Sequence, residues 1–227
     1  GLPILFFLII LSVALFIGRQ ATKYVSVIPH LTTADNIKGL MVVFSNLHSQ
    51  PKAALQNHLN EIRLRYLDDS TYQPMAQHEN LELAKVGSFG AIFKSIHLHY
   101  ESLEVLALIS SKESRHDIKL LKDAIEIFFP QHGFKIITQE DVMKLQAINE
   151  KDVDFEDIEQ VSFVLHEMYN YLELSYSEEQ ILLDVTGGTK ATTIAGTIIA
   201  TANGRKLQMA HQKNHSKIII SLGLEES

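Results

Sequence analysis

Four short apolar runs, separated by stretches with helical spacing of apolar residues, constrain the fold of this chain most strongly. The runs are residues 40–44 and 105–109, which are wholly apolar, and residues 134–137 and 181–185, which are apolar apart from Lys135 and Asp184. Continuous apolar runs of this length are typical of strands that are buried on both faces. Strands that alternate with helices form mostly parallel sheets. The sequence therefore predicts an α/β domain in which helices cover both faces of a mostly parallel sheet.

Helices and a final strand pair complete this pattern. The sequence predicts helices over residues 51–66, 81–100, 114–129 and 155–174, the second of them interrupted near Gly87-Ser88. Residues 206–210 and 217–221 are predicted to form a terminal pair of strands.

Small polar residues follow each of the four runs. They are Ser45-Asn46, Ser110-Ser111, Thr138-Gln139 and Thr186-Gly187. Ligands of open α/β sheets bind at the carboxyl ends of the strands, so these four loops are expected to line one crevice. Turns favour Ser, Thr, Asn and Gly in any protein, so each loop alone also has a purely structural explanation.

Residues 184–190, with the sequence DVTGGTK, connect the fourth run to a segment of helical composition. Two glycines allow a ligand to approach the backbone, and the first amides and the dipole of a helix attract phosphate. Lys190 adds a positive charge. The spacing matches neither the Walker A loop nor the G-x-G-x-x-G fingerprint. The motif indicates a phosphate or nucleotide site, and a structural Gly-Gly turn is the alternative.

The run from residue 2 to residue 18 contains no charged side chain. As a helix its 17 residues would be about 26 Å long, and a few flanking residues would complete a hydrocarbon core of about 30 Å. Residues 1–20 are therefore predicted to form a transmembrane helix, residues 21–38 a juxtamembrane linker and residues 39–227 the α/β domain. Arg19 and Lys23 follow the run, which places that domain in the cytoplasm, on a single-pass protein of the inner membrane. A buried core helix is the alternative, but the run has no polar face.

Composition excludes several classes of function. The chain contains no cysteine, so disulfides, thiolate metal sites and cysteine nucleophiles are ruled out. A formal net charge of −7 argues against a protein that coats long nucleic acid. The chain has 11 histidines, but none stands at metal-ligand spacing with a carboxylate cluster, and no metal or cofactor is expected.

The DVTGGTK motif after the fourth strand and the polar loop 45–49 after the first resemble the CARF family, the CRISPR-associated Rossmann-fold sensor domains. The resemblance covers about residues 39–224. It implies a Rossmann-like fold that binds cyclic oligoadenylate, without a cofactor, across the interface of a homodimer. Carried over to this chain, it implies that the ligand is contacted by Ser45, Asn46, Leu47, His48, Ser110, Ser111, Thr138, Thr186, Gly187, Gly188, Thr189 and Lys190.

Together with the N-terminal run, the chain looks like the membrane-anchored CARF proteins of type III CRISPR antiviral defence. The resemblance implies that cyclic tetra-adenylate, bound to a dimer or a dimer of dimers, gates or perturbs the lipid bilayer through the bundled helices. This action requires no catalytic residue.

Two other functions remain open at this point. Some CARF domains resemble ring nucleases, so the chain could cleave its cyclic ligand. Lys190 would then stabilise the developing charge, and His48 is a conceivable general base. A membrane-tethered scaffold for an ordinary mononucleotide is the third possibility, and it would bind one ligand per subunit instead of one per dimer.

Overall fold

A computed structural model of the chain describes residues 25–31, 34–45, 52–69, 89–146, 152–201, 205–210 and 217–226. The strands are β1 (Val25–Leu31), β2 (Gly39–Phe44), β3 (Val105–Ser110), β4 (Lys135–Thr138), β5 (Ile181–Gly187), β6 (Lys206–Ala210) and β7 (Lys217–Glu226). The helices are α1 (Lys52–Asp68), α2 (Phe89–His99), α3 (Ile118–Phe128), α4 (Gln139–Leu145), α5 (Ile158–Glu173) and α6 (Lys190–Ala200).

The seven strands form one sheet in the order β1-β7-β6-β5-β2-β3-β4. The five strands from β6 to β4 in this order are all parallel to their neighbours. The strands β7 and β1 extend the sheet beyond β6 in antiparallel orientation. The predicted α/β architecture with a mostly parallel, Rossmann-like sheet is therefore confirmed.

Helices cover both faces of the sheet, as predicted. On one face, α1, α2 and α3 pack against the side chains of alternate residues of β2 and β3, such as Leu40 and Leu106. On the other face, α4, α5 and α6 pack against the intervening residues, such as Met41 and Ala107. Every residue of β2 is buried, because this central strand has a strand on each side and helices above and below it.

The start of α5 shows how local chemistry sets an element boundary. The sequence predicts this helix from residue 155, but it begins at Ile158. The side chain of Asp157 accepts hydrogen bonds from the amides of Glu159 at 2.9 Å and Gln160 at 3.1 Å. A carboxylate that satisfies the first free amides caps the helix at that point. The helix predicted over residues 114–129 likewise begins later, because a 3-10 turn (Arg115–Asp117) precedes α3.

The stretch predicted as a linker, residues 21–38, contains strand β1. This strand pairs antiparallel with β7, from Val25 opposite Glu226 to Leu31 opposite Ile220. Strand β7 is correspondingly longer than the predicted 217–221. Pro29 lies within β1, and proline is tolerated there because β1 is at the edge of the sheet.

The predicted transmembrane helix, residues 1–20, lies outside the described residues. Among the helices that the structure describes, none is long and apolar enough to cross a membrane.

The buried side chains of Tyr169 and Arg205 contact each other next to the start of β6. The guanidinium carbon of Arg205 lies 4.3 Å from the ring centroid of Tyr169. Arg205 also forms ion pairs with Glu173 at 2.7 Å and with Glu178 at 3.3 Å. The Tyr169 hydroxyl has no hydrogen-bond partner within the described part of the chain. Burial raises the pKa of Tyr169, although the positive charge of Arg205 partly opposes this effect.

Tyr169→Phe is expected to leave the stability unchanged or to raise it by up to about 1 kcal/mol, because it removes a buried hydroxyl that forms no hydrogen bond. Thermal or urea unfolding measures this change. Tyr100→Phe is the matched control, since Tyr100 is more than a third exposed and loses a hydroxyl at no cost. A loss of more than about 1 kcal/mol in Tyr169→Phe alone would show that the hydroxyl is hydrogen-bonded after all.

Candidate ligand-binding site

The chain order of the strands reverses between β2 and β5. From β2 the chain proceeds outward through β3 and β4, and then returns to β5, on the other side of β2, and continues to β6. The helices that follow β2 and β5, α1 and α6, therefore lie on opposite faces of the sheet, which is the arrangement that forms a crevice in open α/β sheets. This topological switch point is where open α/β sheets bind their ligands.

The turn after β5 lies directly against the end of β2. The amide of Ser45 donates a hydrogen bond of 2.8 Å to the carbonyl oxygen of Gly187. A Cβ atom added at Gly187 would lie 2.5 Å from the carbonyl oxygen of Val43, closer than real Cβ contacts. Glycine is therefore required at position 187 for the two strands to come this close, with or without a ligand.

The second glycine and Thr189 form the entry to α6. A Cβ atom at Gly188 would lie 2.5 Å from Oγ1 of Thr192. Thr189 is the N-cap, and its Oγ1 accepts a hydrogen bond of 3.3 Å from the amide of Thr192. The same hydroxyl donates to the carbonyl oxygen of Phe155 at 2.7 Å. The Thr189 side chain therefore has internal partners, while the amides of Lys190 and Ala191 have none within the helix.

The structure brings the other predicted loops to the same edge of the sheet but buries most of their side chains. Phe44 of β2 pairs with Ser110 of β3. The backbone of Ser110 is bound by the Gln139 amide group, through hydrogen bonds of 2.6 Å and 2.9 Å. Ser111 bonds to Ser114, whose hydroxyl donates to the carbonyl oxygen of Phe44 at 2.9 Å. These contacts fix the end of β2 relative to β3.

Thr138 is also buried and has a structural partner. It caps α4 in a reciprocal arrangement with Asp141, whose carboxylate accepts hydrogen bonds from the Thr138 amide and hydroxyl. Burial raises the pKa of Asp141, but these two hydrogen bonds, with Lys122 and Lys144 nearby, outweigh burial and lower it.

Six of the predicted contact residues keep exposed surface. Half-buried are Ser45, Thr186, Gly187, Gly188 and Thr189, and Lys190 is exposed at the first position of α6. Ser110 is fully buried, and its hydroxyl has no hydrogen-bond partner among the residues described. Three further predicted residues, Asn46, Leu47 and His48, lie outside the described residues. The accessible part of the site is therefore the β5–α6 turn and the adjoining end of β2.

The positive charge of this turn comes from Lys190 and the N-terminus of α6. Farther along the edge, beyond β3 and β4, lies a groove of about 710 Å³ lined by Lys112, Lys119 and Lys122. Arg115 lines the same groove, but its guanidinium pairs with Glu140 and Asp152, and these hydrogen bonds raise its pKa. The positive charge of Arg115 is therefore balanced by two carboxylates of the protein. Among the described residues, Lys190 is the cation that lies next to the Gly-Gly turn.

Asp184, the first residue of the motif, has a structural role that the sequence did not predict. Its carboxylate is buried and accepts hydrogen bonds from the Thr186 amide at 2.8 Å, from the Ser95 hydroxyl, and from the Gln208 amide group at 2.8 Å. Gln208 also donates to Ser95 at 2.7 Å, and its oxygen lies 3.0 Å from Nε2 of His99. The sequence does contain one signal for this network, which is an acidic residue at the end of an otherwise apolar strand.

Within the described ranges, no group of three or more His, Asp or Glu residues is placed to hold a metal ion.

Comparison with known proteins gives one partial match. No family model matches the chain. The chain is similar to an "Uncharacterized protein" of Aquifex aeolicus (strain VF5), with 35% identity over 74 residues. These residues make up 32% of this chain and 24% of that protein, so the match spans about a quarter of the relative's length.

Gly187→Ala is expected to destabilise the fold by about 1–3 kcal/mol, since the added methyl group forces β5 away from the Val43 carbonyl oxygen. Chemical unfolding monitored by circular dichroism measures the loss. Gly133→Ala is the control, because a Cβ atom there meets no atom within 4 Å. Equal stability of the two variants would mean that β2 and β5 do not approach each other this closely.

Proposed function

We propose that this chain is a membrane-anchored sensor of cyclic oligoadenylate, with cyclic tetra-adenylate as its ligand, in type III CRISPR antiviral defence. One observation carries the proposal: the TGGTK turn and the start of α6 lie at the switch point of a Rossmann-like sheet, with Lys190 exposed. The motif that resembles the CARF family therefore lies at the place where such folds bind their ligands.

The exposed groups of the turn suit a phosphodiester. Lys190 supplies a full positive charge, and the first amides of α6 supply donors and the positive end of the helix dipole. Thr186 of β5 and Ser45, which follows β2, lie beside these groups and are half-buried. The bases of the ligand would then lie along the loops after β2 and β3.

A homodimer, or a dimer of dimers, is the proposed binding unit, and the exposed side of α6 supports it. This side carries Ile194 and Ile198, which are 49% and 52% exposed, one and two turns beyond Lys190. Apolar side chains next to a proposed ligand site suit contact with a second copy. A ring of repeated nucleotides matches a two-fold axis, because such an axis presents the same residues twice.

The action on the inner membrane is proposed from the N-terminal sequence. Ligand binding in the cytoplasm would favour one arrangement of the paired domains, and the attached helices would follow. A ligand can shift such an equilibrium only through its differential affinity for the two arrangements. The lipid bilayer and a second copy of the chain are thus the proposed partners, and long nucleic acid is not.

Lys190→Ala is expected to weaken binding of cyclic tetra-adenylate by about 10- to 100-fold, the value of one charge-assisted hydrogen bond. Isothermal titration calorimetry measures the affinity and the stoichiometry, which is expected to be one ring per two chains. Lys135→Ala is the matched control, because Lys135 is exposed at the opposite, amino-terminal end of β4.

Equal affinity of the Lys190→Ala and Lys135→Ala variants would remove the turn from the binding site. A stoichiometry of one ligand per chain would instead favour the mononucleotide scaffold.

Addition of cyclic tetra-adenylate to liposomes that contain the chain is expected to release an entrapped dye, while the ligand is recovered intact. Fluorescence reports the leakage, and chromatography of the same sample reports any linear product. Liposomes with the Lys190→Ala variant are the control. Linear products without leakage would favour the ring nuclease, and bound ligand with neither effect would exclude both actions.

A further inference from the structure

The end of β5 departs from regular pairing with β2 just before the Gly-Gly turn. Val42 pairs with Asp184 and Phe44 pairs with Gly187, so two residues of β5 oppose one residue of β2. A two-to-one register of this kind, as in a β-bulge, bends the strand and locally interrupts the regular ladder. The amide of Thr186 lies in this bulge and donates to Oδ1 of Asp184 at 2.8 Å.

The other oxygen of this carboxylate is held from two further elements. Oδ2 accepts hydrogen bonds from the Ser95 hydroxyl of α2 and from the Gln208 amide group of β6. Because Gln208 donates through its nitrogen, its oxygen is the acceptor that faces His99 of α2, and Nε2 of His99 therefore carries the hydrogen. Every neighbour of the carboxylate in this network is a donor. Its orientation is thus fixed by α2 and β6 as well as by its own strand.

We infer that Asp184 is a positioning residue for the proposed ligand site. Its carboxylate holds the bulged amide of Thr186, and the bulge sets the direction in which Gly187, Gly188 and then Lys190 leave the sheet. Asp184 is only 1% exposed, so it cannot contact a ligand itself. The inference rests on the proposed function, because it concerns the same turn.

The Asp184→Ala variant tests the inference on the full chain by two measurements, affinity for cyclic tetra-adenylate and hydrogen exchange of the amides of residues 186–188. We expect affinity to fall by about 10- to 100-fold, and exchange of these amides to accelerate by at least about tenfold relative to amides of β3. Unchanged exchange at residues 186–188 would overturn the positioning role.

Two further variants separate positioning from a general loss of stability. Asp184→Asn keeps an oxygen for the Thr186 amide, and is expected to retain affinity within about threefold while Ser95 and Gln208 reorient. Ile125→Val lowers stability from the core of α3, on the helix layer that also contains α2, and is expected to leave affinity unchanged. Affinity that follows melting temperature across all three variants would reduce Asp184 to a structural residue.

A fourth variant and the exchange measurement test the role of Asp184 independently of the proposed function. If Asp184→Ala does not fold, Ser95→Ala is expected to accelerate exchange at residues 186–188 by about threefold or more, because it removes one support of the carboxylate. No acceleration in a folded Ser95→Ala variant would contradict the inference. Failure of the wild-type chain to bind cyclic tetra-adenylate would refute the proposed function, whereas the exchange result would still decide the role of Asp184.

Discussion

The close approach of β5 to β2 at Gly187 is the contact on which the geometry of the crevice depends. It allows the Ser45 amide to reach the Gly187 carbonyl oxygen, and it brings the Gly-Gly turn to the central strand of the sheet. Steric constraints within the fold therefore explain why both positions are glycine, without a ligand. The groups that favour an anion at this turn are instead Lys190 and the first amides of α6, which have no partner within the helix.

Around this contact, most of the polar side chains that the structure describes at the edge of the sheet form bonds within the protein. Gln139 secures the end of β3, Ser114 secures the end of β2, and Thr189 connects the start of α6 to the loop before α5. Buried polar groups are stabilising only when they are satisfied in this way. The described side chains at this edge are thus held mostly by bonds within the protein, and Lys190 supplies positive charge beside the Gly-Gly turn.

The sequence predicted the sheet well and the site only in part. Mostly apolar runs identified β2 to β5, because a buried strand leaves a local signal in the sequence, and β6 was predicted as a member of the terminal pair. Strand β1 was missed because its composition is mixed, it contains Pro29, and its partner β7 is almost the whole chain away. The Asp184 network could not be predicted, since Ser95 and Gln208 are 113 residues apart and only the fold brings them together. Sequence likewise cannot distinguish a polar residue that faces a ligand from one such as Ser111 that closes a turn.

The pairing of β1 with β7 has a mechanical consequence. Seven residue pairs join the two strands in antiparallel register, and β1 begins only a few residues after the apolar N-terminal run. A pull on residue 25 along the strand axis loads all of these hydrogen bonds at once, in shear, whereas a sideways pull would open them one at a time. Displacement of Val25 along that axis is therefore transmitted to β7 and the rest of the sheet without opening the pairs one at a time.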